Sequence, residues 1–172
     1  MKKLIGAILL LMMLFLTACG GGEGNQTDPL LSEERLQVVA TTGMITDIVQ
    51  VVGGDKIDVQ GLLGPGSDPH LYVASAGDVD KLQDADIIFY NGLFLEAQME
   101  NILEQLGERK TVVPVSAEID RDLLLASPLY EDEYDPHIWF DVILWQSAVR
   151  TVTDTLIAAD KAVTPTEIKT TK

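Results

Sequence analysis

Both histidines of this 172-residue chain lie in the same tripeptide, Asp68-Pro69-His70 and Asp135-Pro136-His137. Imidazole is the commonest protein ligand for transition metals. A preceding proline fixes one backbone torsion and so helps to aim the ring. Asp-Pro is also an ordinary turn signal, and a single such tripeptide would indicate little more than a turn. Because the whole tripeptide is repeated, the sequence predicts a metal site formed by His70 and His137.

Catalytic chemistry is less well supported by these residues. A hydrolytic zinc enzyme needs a third protein ligand, an open water position and a general base. Neither tripeptide lies in a His-Glu-x-x-His arrangement. The nearby Gly64-Pro65-Gly66 lacks the spacing of a phosphate-binding loop and is interpreted as shaping the approach to His70. We therefore predict a binding protein and not an enzyme.

The N-terminus has the parts of an exported lipoprotein signal. Two lysines precede an uncharged apolar run over residues 4–16, which is too short to span a bilayer comfortably as a helix. Leu16-Thr17-Ala18-Cys19 follows as a lipobox, so residues 1–18 are predicted to be a cleaved signal peptide. Cys19 is the only cysteine, which excludes an intramolecular disulfide and predicts that Cys19 carries the lipid anchor.

Amino-acid composition indicates where the chain is located in the cell and which binding partners are excluded. Residues 19–34 are rich in small and polar side chains and lack an apolar period, so they are predicted to form a lipidated flexible tether. The chain has 12 basic against 27 acidic residues, a formal net charge of −15 at pH 7. This charge argues against nucleic acid, whose phosphates would be repelled. We expect the chain to be lipid-anchored on the outer face of a bacterial cytoplasmic membrane, or periplasmic.

Short β-type runs alternate with helical segments from Leu36 onward. Strands are predicted over 36–41, 57–63, 87–90 and 111–115, and helices over 44–52, around 79–85, over 93–106 and over 139–159. Such alternation predicts an α/β fold with a mainly parallel four-stranded sheet flanked by helices. Ligands of these sheets bind beyond the carboxyl ends of the strands, and the loop carrying His70 follows the second strand. The fold and the metal prediction therefore agree.

The last helical segment has one apolar side whose residues recur at steps of four, three and four. They are Trp145, Val149, Val152 and Leu156. The predicted domains are an N-terminal α/β metal-binding lobe over 35–137, the start of a long linking helix over 138–160, and an irregular tail over 161–172.

Several blocks of the sequence, in order along the chain, resemble the solute-binding lipoproteins of manganese and zinc ABC importers, a family that includes streptococcal surface antigens once described as adhesins. The blocks are 40–42, 53–55, 64–72, 85–93 and 135–141. The resemblance covers the chain to about Asp160. It implies two α/β lobes joined by one long rigid helix, with a metal ion held in the cleft between the lobes by four side chains.

The resemblance also implies roles for particular residues. The first two family ligands are the histidines of the Asp-Pro-His blocks, which correspond to His70 and His137 here. The implied ligand is Mn²⁺ or Zn²⁺, bound as the transported ion, and the implied partner is an ABC importer permease in the membrane. The acidic stretch before His137 contains no histidine, whereas zinc-type members often carry a histidine-rich loop, and this favours manganese.

The remaining two family ligands, a Glu or His and an Asp, come from the second lobe, and the sequence ends at Lys172 before either appears. We therefore expect a chain truncated after the first lobe, with half of the site and impaired function. Two imidazoles without anionic ligands leave several positions to water, so Mn²⁺ is expected to bind poorly and Zn²⁺ weakly. Carboxylates of the acidic residues 131–133 could supply a local replacement ligand.

Two alternatives stay open on the sequence. One is a surface adhesion or interaction lipoprotein, and the other is a non-functional fragment without metal capture. Alanine at His70 separates the importer function from adhesion, because it is expected to abolish the first and leave the second unchanged. In the family both lobes cover the long helix, so an uncovered apolar side is expected to favour dimers or aggregates.

Overall fold

The computed structural model describes residues 35–128 and 130–160, which form one sheet with helices on both faces. The strands are Leu36–Ala40 (β1), Ile57–Gly61 (β2), Ile87–Tyr90 (β3) and Thr111–Pro114 (β4). Their order is β2-β1-β3-β4, and every neighbouring pair is parallel. The predicted α/β fold with a parallel four-stranded sheet flanked by helices is confirmed. The predicted signal peptide, tether, tail and lipidated Cys19 lie outside the described residues.

Within the described residues, four α-helices accompany these strands, together with short 3₁₀ helices. The α-helices are Gly43–Gly53 (α1), Ala76–Asp84 (α2), Glu100–Gly107 (α3) and Val142–Ala159 (α4). A polar side chain accepts backbone N–H groups at the start of α1, α2 and α4, as short polar residues do at helix N-termini. Those residues are Thr42, Ser75 and Asp141. None of the helices in the described ranges is long and apolar enough to cross a membrane.

The alternation of side chains along the strands divides the core into two layers. Val38 and Ala40 of β1 face a core that also includes α1 and α4, whereas Val39 faces the core formed with α2 and α3. In β3, Phe89 lies in the first layer and Ile88 in the second. Each of these five side chains is at most 2% exposed. A sheet covered on both faces explains why β1 and β3 are apolar at successive positions.

The helix predicted over 93–106 is wrong at its N-terminal half, because α3 begins at Glu100. Leu93 and Phe94 have left-handed backbone torsions, with φ of 54° and 66°, which an α-helix does not allow. The Glu96 carboxylate accepts the backbone N–H groups of Asn91 and Gly92 and so closes a turn there. The apolar period was real, since Leu95 and Met99 are buried, but it is carried by a turn and a 3₁₀ segment.

Several other boundaries differ from the prediction by one residue; for example, β1 ends at Ala40 and β4 at Pro114. Two differences are larger. The second strand ends at Gly61 and not at residue 63. The N–H groups of Leu62 and Leu63 still donate to the carbonyls at the end of β1, those of Ala40 and Thr41. The last helix begins at Val142 and not at 139, because Asp141 accepts N–H groups of its first turn. A 3₁₀ segment at Ile138–Phe140 precedes it.

The apolar side predicted for α4 packs against the lobe itself. Val152 and Leu156 are buried, and Trp145 and Val149 are partly buried against the same core. This stripe is therefore not the uncovered surface that was expected. The large apolar side chains that α4 does expose are at other positions. They are Val142, Ile143 and Ile157.

Candidate metal centre

The two predicted ligands come together although they are 67 residues apart in the sequence. His70 lies in the loop that follows β2, and His137 lies in the segment between β4 and α4. Their Nε2 atoms are 3.4 Å apart, and the ring centroids are 5.4 Å apart. The loops from two different places in the chain thus present two imidazole nitrogens to one point.

This separation has two chemical readings that are compatible with each other. Without an ion, one Nε2 can carry a proton and donate it to the lone pair of the other. With an ion, two nitrogens at about 2.0–2.1 Å from a tetrahedral Zn²⁺ are separated by about 3.4 Å, from the ligand distances and angle of such sites. The pair is therefore spaced for a shared proton or for a shared cation.

Asp135 fixes the ring of His137. One carboxylate oxygen, Oδ1, accepts the His137 backbone N–H at 3.0 Å and lies 2.5 Å from the ring Nδ1. A proton on Nδ1 satisfies this contact and leaves the Nε2 lone pair free to bind a metal, as in carboxylate–histidine–metal arrangements. The hydrogen bond from the His137 backbone, and then that from its ring, lower the pKa of the Asp135 carboxyl.

Aromatic rings surround the same histidine. Trp139 contacts the His137 ring edge-on at 5.2 Å between centroids, and Phe140 lies roughly parallel to it at 6.4 Å. Trp139 is partly buried against the core, whereas Phe140 is 81% exposed. The Trp139 ring therefore packs on a predicted ligand as well as against the core.

The loop carrying His70 is held differently. Asp68 Oδ1 accepts the His70 backbone N–H at 2.9 Å. Further along the loop, the Tyr72 hydroxyl donates to the Asp78 carboxylate at 2.7 Å and ties the loop to the start of α2. Hydrogen bonds from the Ser75 and Tyr72 hydroxyls hold the pKa of the Asp78 carboxyl well below its usual range.

A buried polar cluster at the carboxyl ends of β1 and β3 was missed by sequence reasoning. It consists of Thr41, Asn91 and Glu96, which are 0%, 1% and 4% exposed. The Glu96 carboxylate accepts the Thr41 hydroxyl at 2.6 Å, and the Asn91 side chain reaches the Pro136 carbonyl at 2.9 Å. Burial raises the pKa of the Glu96 carboxyl, and the hydrogen bonds donated to it oppose this increase.

A complete protein ligand set is not found in the described part of the chain. No group of three or more His, Cys, Asp or Glu side chains within residues 35–128 and 130–160 is arranged to hold a metal ion. The suggestion that a carboxylate of residues 131–133 replaces a ligand locally is therefore not supported. A cavity of about 250 Å³ lies beside β3 and α3, and neither histidine lines it.

Solved structures identify the class of protein. The chain superimposes with a TM-score of 0.71 and 43% identity on the periplasmic zinc-binding protein TroA from Treponema pallidum, over 75% of this chain and 46% of that chain. In sequence it is 40% identical over 150 residues to the manganese-binding lipoprotein MntA of Bacillus subtilis, over 87% of this chain and 47% of the relative. It is 47% identical over 119 residues to the TroA sequence.

A family model described as the zinc-uptake complex component A, periplasmic, matches residues 38–166. The match covers most of the chain, so the chain belongs to this family of metal ABC transporter solute-binding proteins, and the predicted resemblance is confirmed. The chain spans about half the length of the curated relatives it matches. By their names, these relatives bind manganese or zinc.

Proposed function

We propose that the chain is the metal-capturing lobe of an extracytoplasmic solute-binding lipoprotein of an ABC importer. His70 and His137 each supply an imidazole nitrogen to Mn²⁺ or Zn²⁺, which is bound as the transported ion. The protein acts as a carrier and not as an enzyme. It is anchored to the membrane through lipid on Cys19 and delivers its ion to a membrane permease.

One observation carries this proposal. Two imidazole Nε2 atoms lie 3.4 Å apart, and the Nδ1 of one of them is held by a carboxylate. Neutral imidazoles that converge in this way form a good partial site for a borderline ion such as Zn²⁺. Membership of a family whose named members bind manganese or zinc supports the same chemistry. The adhesion alternative has no comparable observation in its favour.

The metal preference of the described residues follows from their ligand type. Imidazole suits Zn²⁺, whereas Mn²⁺ prefers carboxylate, carbonyl and water oxygens. Two histidines alone therefore favour Zn²⁺, and tight Mn²⁺ binding requires oxygen ligands besides those two. We expect the chain by itself to bind Zn²⁺ weakly and Mn²⁺ more weakly still.

The experiment is a calorimetric titration of Zn²⁺, and separately of Mn²⁺, into the purified chain prepared without a polyhistidine tag. It is compared with the double variant His70→Ala/His137→Ala. Saturable Zn²⁺ binding at one ion per chain, lost in the double variant, is the expected result. Equal binding by both proteins would contradict the proposal, because the ion would then be held elsewhere.

A matched control separates the histidines from general acidity. The double variant Glu131→Gln/Glu133→Gln removes two charges close in sequence to His137 and retains both histidines. It is expected to bind Zn²⁺ as the unmodified chain does. A similar loss in both double variants would mean that the negative charge of the chain attracts the ion without a defined site.

A further inference from the structure

The buried cluster of Thr41, Asn91 and Glu96 is connected to the segment that carries His137. Asn91 follows β3 and Thr41 follows β1, the neighbouring strand of the sheet. The Asn91 side-chain Nδ2 donates to two carbonyl oxygens, that of Gly92 at 3.0 Å and that of Pro136 at 2.9 Å. The second of these bonds spans 45 residues of sequence and ends one residue before the predicted ligand.

This hydrogen bond fixes one particular peptide group. The Pro136 carbonyl also accepts the Ile138 N–H at 2.8 Å, so the two lone pairs of that oxygen have two donors. The other end of the same peptide group is the His137 N–H, which donates to Asp135. A planar peptide group held at both its oxygen and its nitrogen has little freedom to rotate. Its orientation sets the direction in which the His137 side chain leaves the backbone.

Asn91 is itself held from several sides. Its backbone N–H donates to Glu96 at 2.8 Å, and its carbonyl accepts the Ser116 hydroxyl at 2.7 Å. Glu96 in turn accepts the Thr41 hydroxyl, which joins the cluster to β1. The position of the Asn91 amide is therefore defined by the sheet. Its hydrogen bond to the Pro136 carbonyl therefore fixes the position of that carbonyl relative to the sheet.

The side-chain amide of Asn91 has one unsatisfied atom, its oxygen, although its nitrogen makes two hydrogen bonds. The Asn91 Oδ1 atom is buried and has no hydrogen-bond partner among the described residues. A buried polar atom without a partner lowers stability, and such atoms are uncommon in folded proteins. Reversing the amide would place Oδ1 against two carbonyl oxygens and would be worse. The Asn91 amide is therefore oriented by its two donor contacts, of which the Pro136 contact is the long-range one.

We propose that Asn91 is a positioning residue that sets the His137 imidazole against that of His70, and so determines metal affinity, through its hydrogen bond to the Pro136 carbonyl. The inference rests on the proposed function, since it takes both imidazoles as ligands of the metal ion. The contacts that hold the His70 tripeptide are local or reach only to α2. Asp135 orients the His137 ring within its own tripeptide, and the Asn91 bond ties that tripeptide to the sheet.

The test compares Zn²⁺ affinity, measured by competition with a chromophoric chelator, in the unmodified chain and in Asn91→Ala. Loss of a residue that orients a metal ligand typically weakens binding about 10- to 100-fold, and a weakening in that range is expected here. Asn91→Ser provides a second variant that keeps a polar side chain, whose hydroxyl is too short to reach Pro136. It is expected to show the same loss.

A second readout distinguishes positioning from general stability. The chain has two histidines, so a long-range ¹H–¹⁵N spectrum of the imidazoles contains signals from two rings. Asn91→Ala is expected to shift the His137 ring signals without any metal present. Leu103→Ala is the control, because Leu103 is buried in the other core layer on α3. This control is expected to lower the melting temperature at least as much, while Zn²⁺ affinity stays within about twofold.

The outcomes separate the inference from the function on which it rests. Zn²⁺ binding that needs both histidines but is unchanged in Asn91→Ala and Asn91→Ser overturns the inference alone. An equal loss of affinity in Leu103→Ala also overturns it, because stability would then explain the effect. Zn²⁺ binding that is indifferent to the histidines overturns the proposed function instead. If neither Asn91 variant folds, the Asn91 side-chain amide signal of the unmodified chain is followed on Zn²⁺ addition, and an unmoved signal overturns the inference.

Discussion

The two Asp-Pro-His tripeptides have identical sequences but different surroundings. In both, the aspartate accepts the backbone N–H of the histidine two residues later, at 2.9 Å for His70 and 3.0 Å for His137. Only at the second tripeptide, among the contacts of the described residues, does the aspartate also hold the histidine ring. The second tripeptide is also bonded to the buried cluster through Asn91 and packed by Trp139 and Phe140. The two tripeptides thus share a local turn but differ in the contacts that surround it.

The difference shows what a short motif can and cannot specify. An aspartate before a proline makes the same local hydrogen bond wherever it occurs, because that bond needs no distant partner. Orientation of the ring needs groups from elsewhere in the fold. One histidine is therefore placed mainly by its loop, and the other mainly by the sheet. We expect substitutions that are identical in chemistry to have unequal effects at the two tripeptides.

The largest inequality is expected between Asp135→Asn and Asp68→Asn. Asp135→Asn removes the carboxylate that holds the His137 Nδ1 and is expected to weaken Zn²⁺ binding by about 10- to 100-fold. Asp68→Asn keeps an oxygen that can accept the His70 N–H and is expected to change the affinity by less than about twofold. Competition titrations on the two variants check this. Equal losses would show that the two tripeptides are equivalent after all.

A smaller effect is expected where the His70 loop joins α2. Tyr72→Phe removes the hydroxyl that donates to Asp78 and is expected to lower the free energy of unfolding by about 1 kcal/mol, since the bond has a charged acceptor but is partly exposed. Urea unfolding measures it. Tyr130→Phe is the control, because Tyr130 is 53% exposed, and it is expected to change stability by less than about 0.5 kcal/mol. Equal changes would mean that the Tyr72 hydroxyl does not support the loop.

Asp78 bonds to the His70 loop, and Glu96 bonds to Asn91. The contributions of these two carboxyl groups to the free energy of unfolding are expected to change with pH in opposite directions. Asp78 has a lowered pKa, so its contribution is present above its unfolded pKa and is lost as the pH falls through the acid range toward its folded pKa. Glu96 has a pKa raised by burial, so its contribution is present below its unfolded pKa and is lost as the pH rises toward its folded pKa.

The variants Asp78→Asn and Glu96→Gln test these signs through unfolding curves from pH 3 to pH 8, on the order of the range over which carboxyl groups titrate in proteins. The destabilisation caused by Asp78→Asn is expected to shrink at the acidic end. The destabilisation caused by Glu96→Gln is expected to shrink as the pH rises. A pH-independent difference from the unmodified chain in either variant would contradict the sign given for that residue.

Much of the fold was predictable because its signals are local. Residues 38–40 of β1 and 87–89 of β3 are apolar and buried on both faces, and alternation with helices is enough to predict a parallel sheet. The start of α3 was not predictable in the same way. The apolar spacing over 93–106 fits a helix, and the turn that replaces its first half depends on the Glu96 carboxylate and on two left-handed residues. The spacing of apolar residues carries no information about such hydrogen bonds, so it could not predict the turn.

In the candidate site, too, the residues with local sequence signals were predictable, and those defined by long-range contacts were not. His70 and His137 could be predicted as a pair, since they share a tripeptide and the first follows the carboxyl end of a strand. Asn91 could not be predicted in the same way, because it precedes Gly92 and Asn-Gly most often indicates only a turn. Its bond to the Pro136 carbonyl joins two segments whose proximity appears only in the folded chain. The sequence signal for this cluster is weak: Thr41 ends one predicted strand and Asn91 follows another, but only the structure shows that the two strands are neighbours.

The central claim is that one metal ion is bound by both imidazoles, and X-ray absorption at the zinc edge of the loaded chain tests it most directly. Imidazole ligands give characteristic scattering from the outer atoms of their rings, so the number of rings bound to the ion can be counted. Two imidazoles per Zn²⁺, with nitrogens at about 2.0–2.1 Å, are predicted. A spectrum of oxygen ligands without ring scattering, or one that is unchanged in the His70→Ala/His137→Ala chain, would contradict the claim.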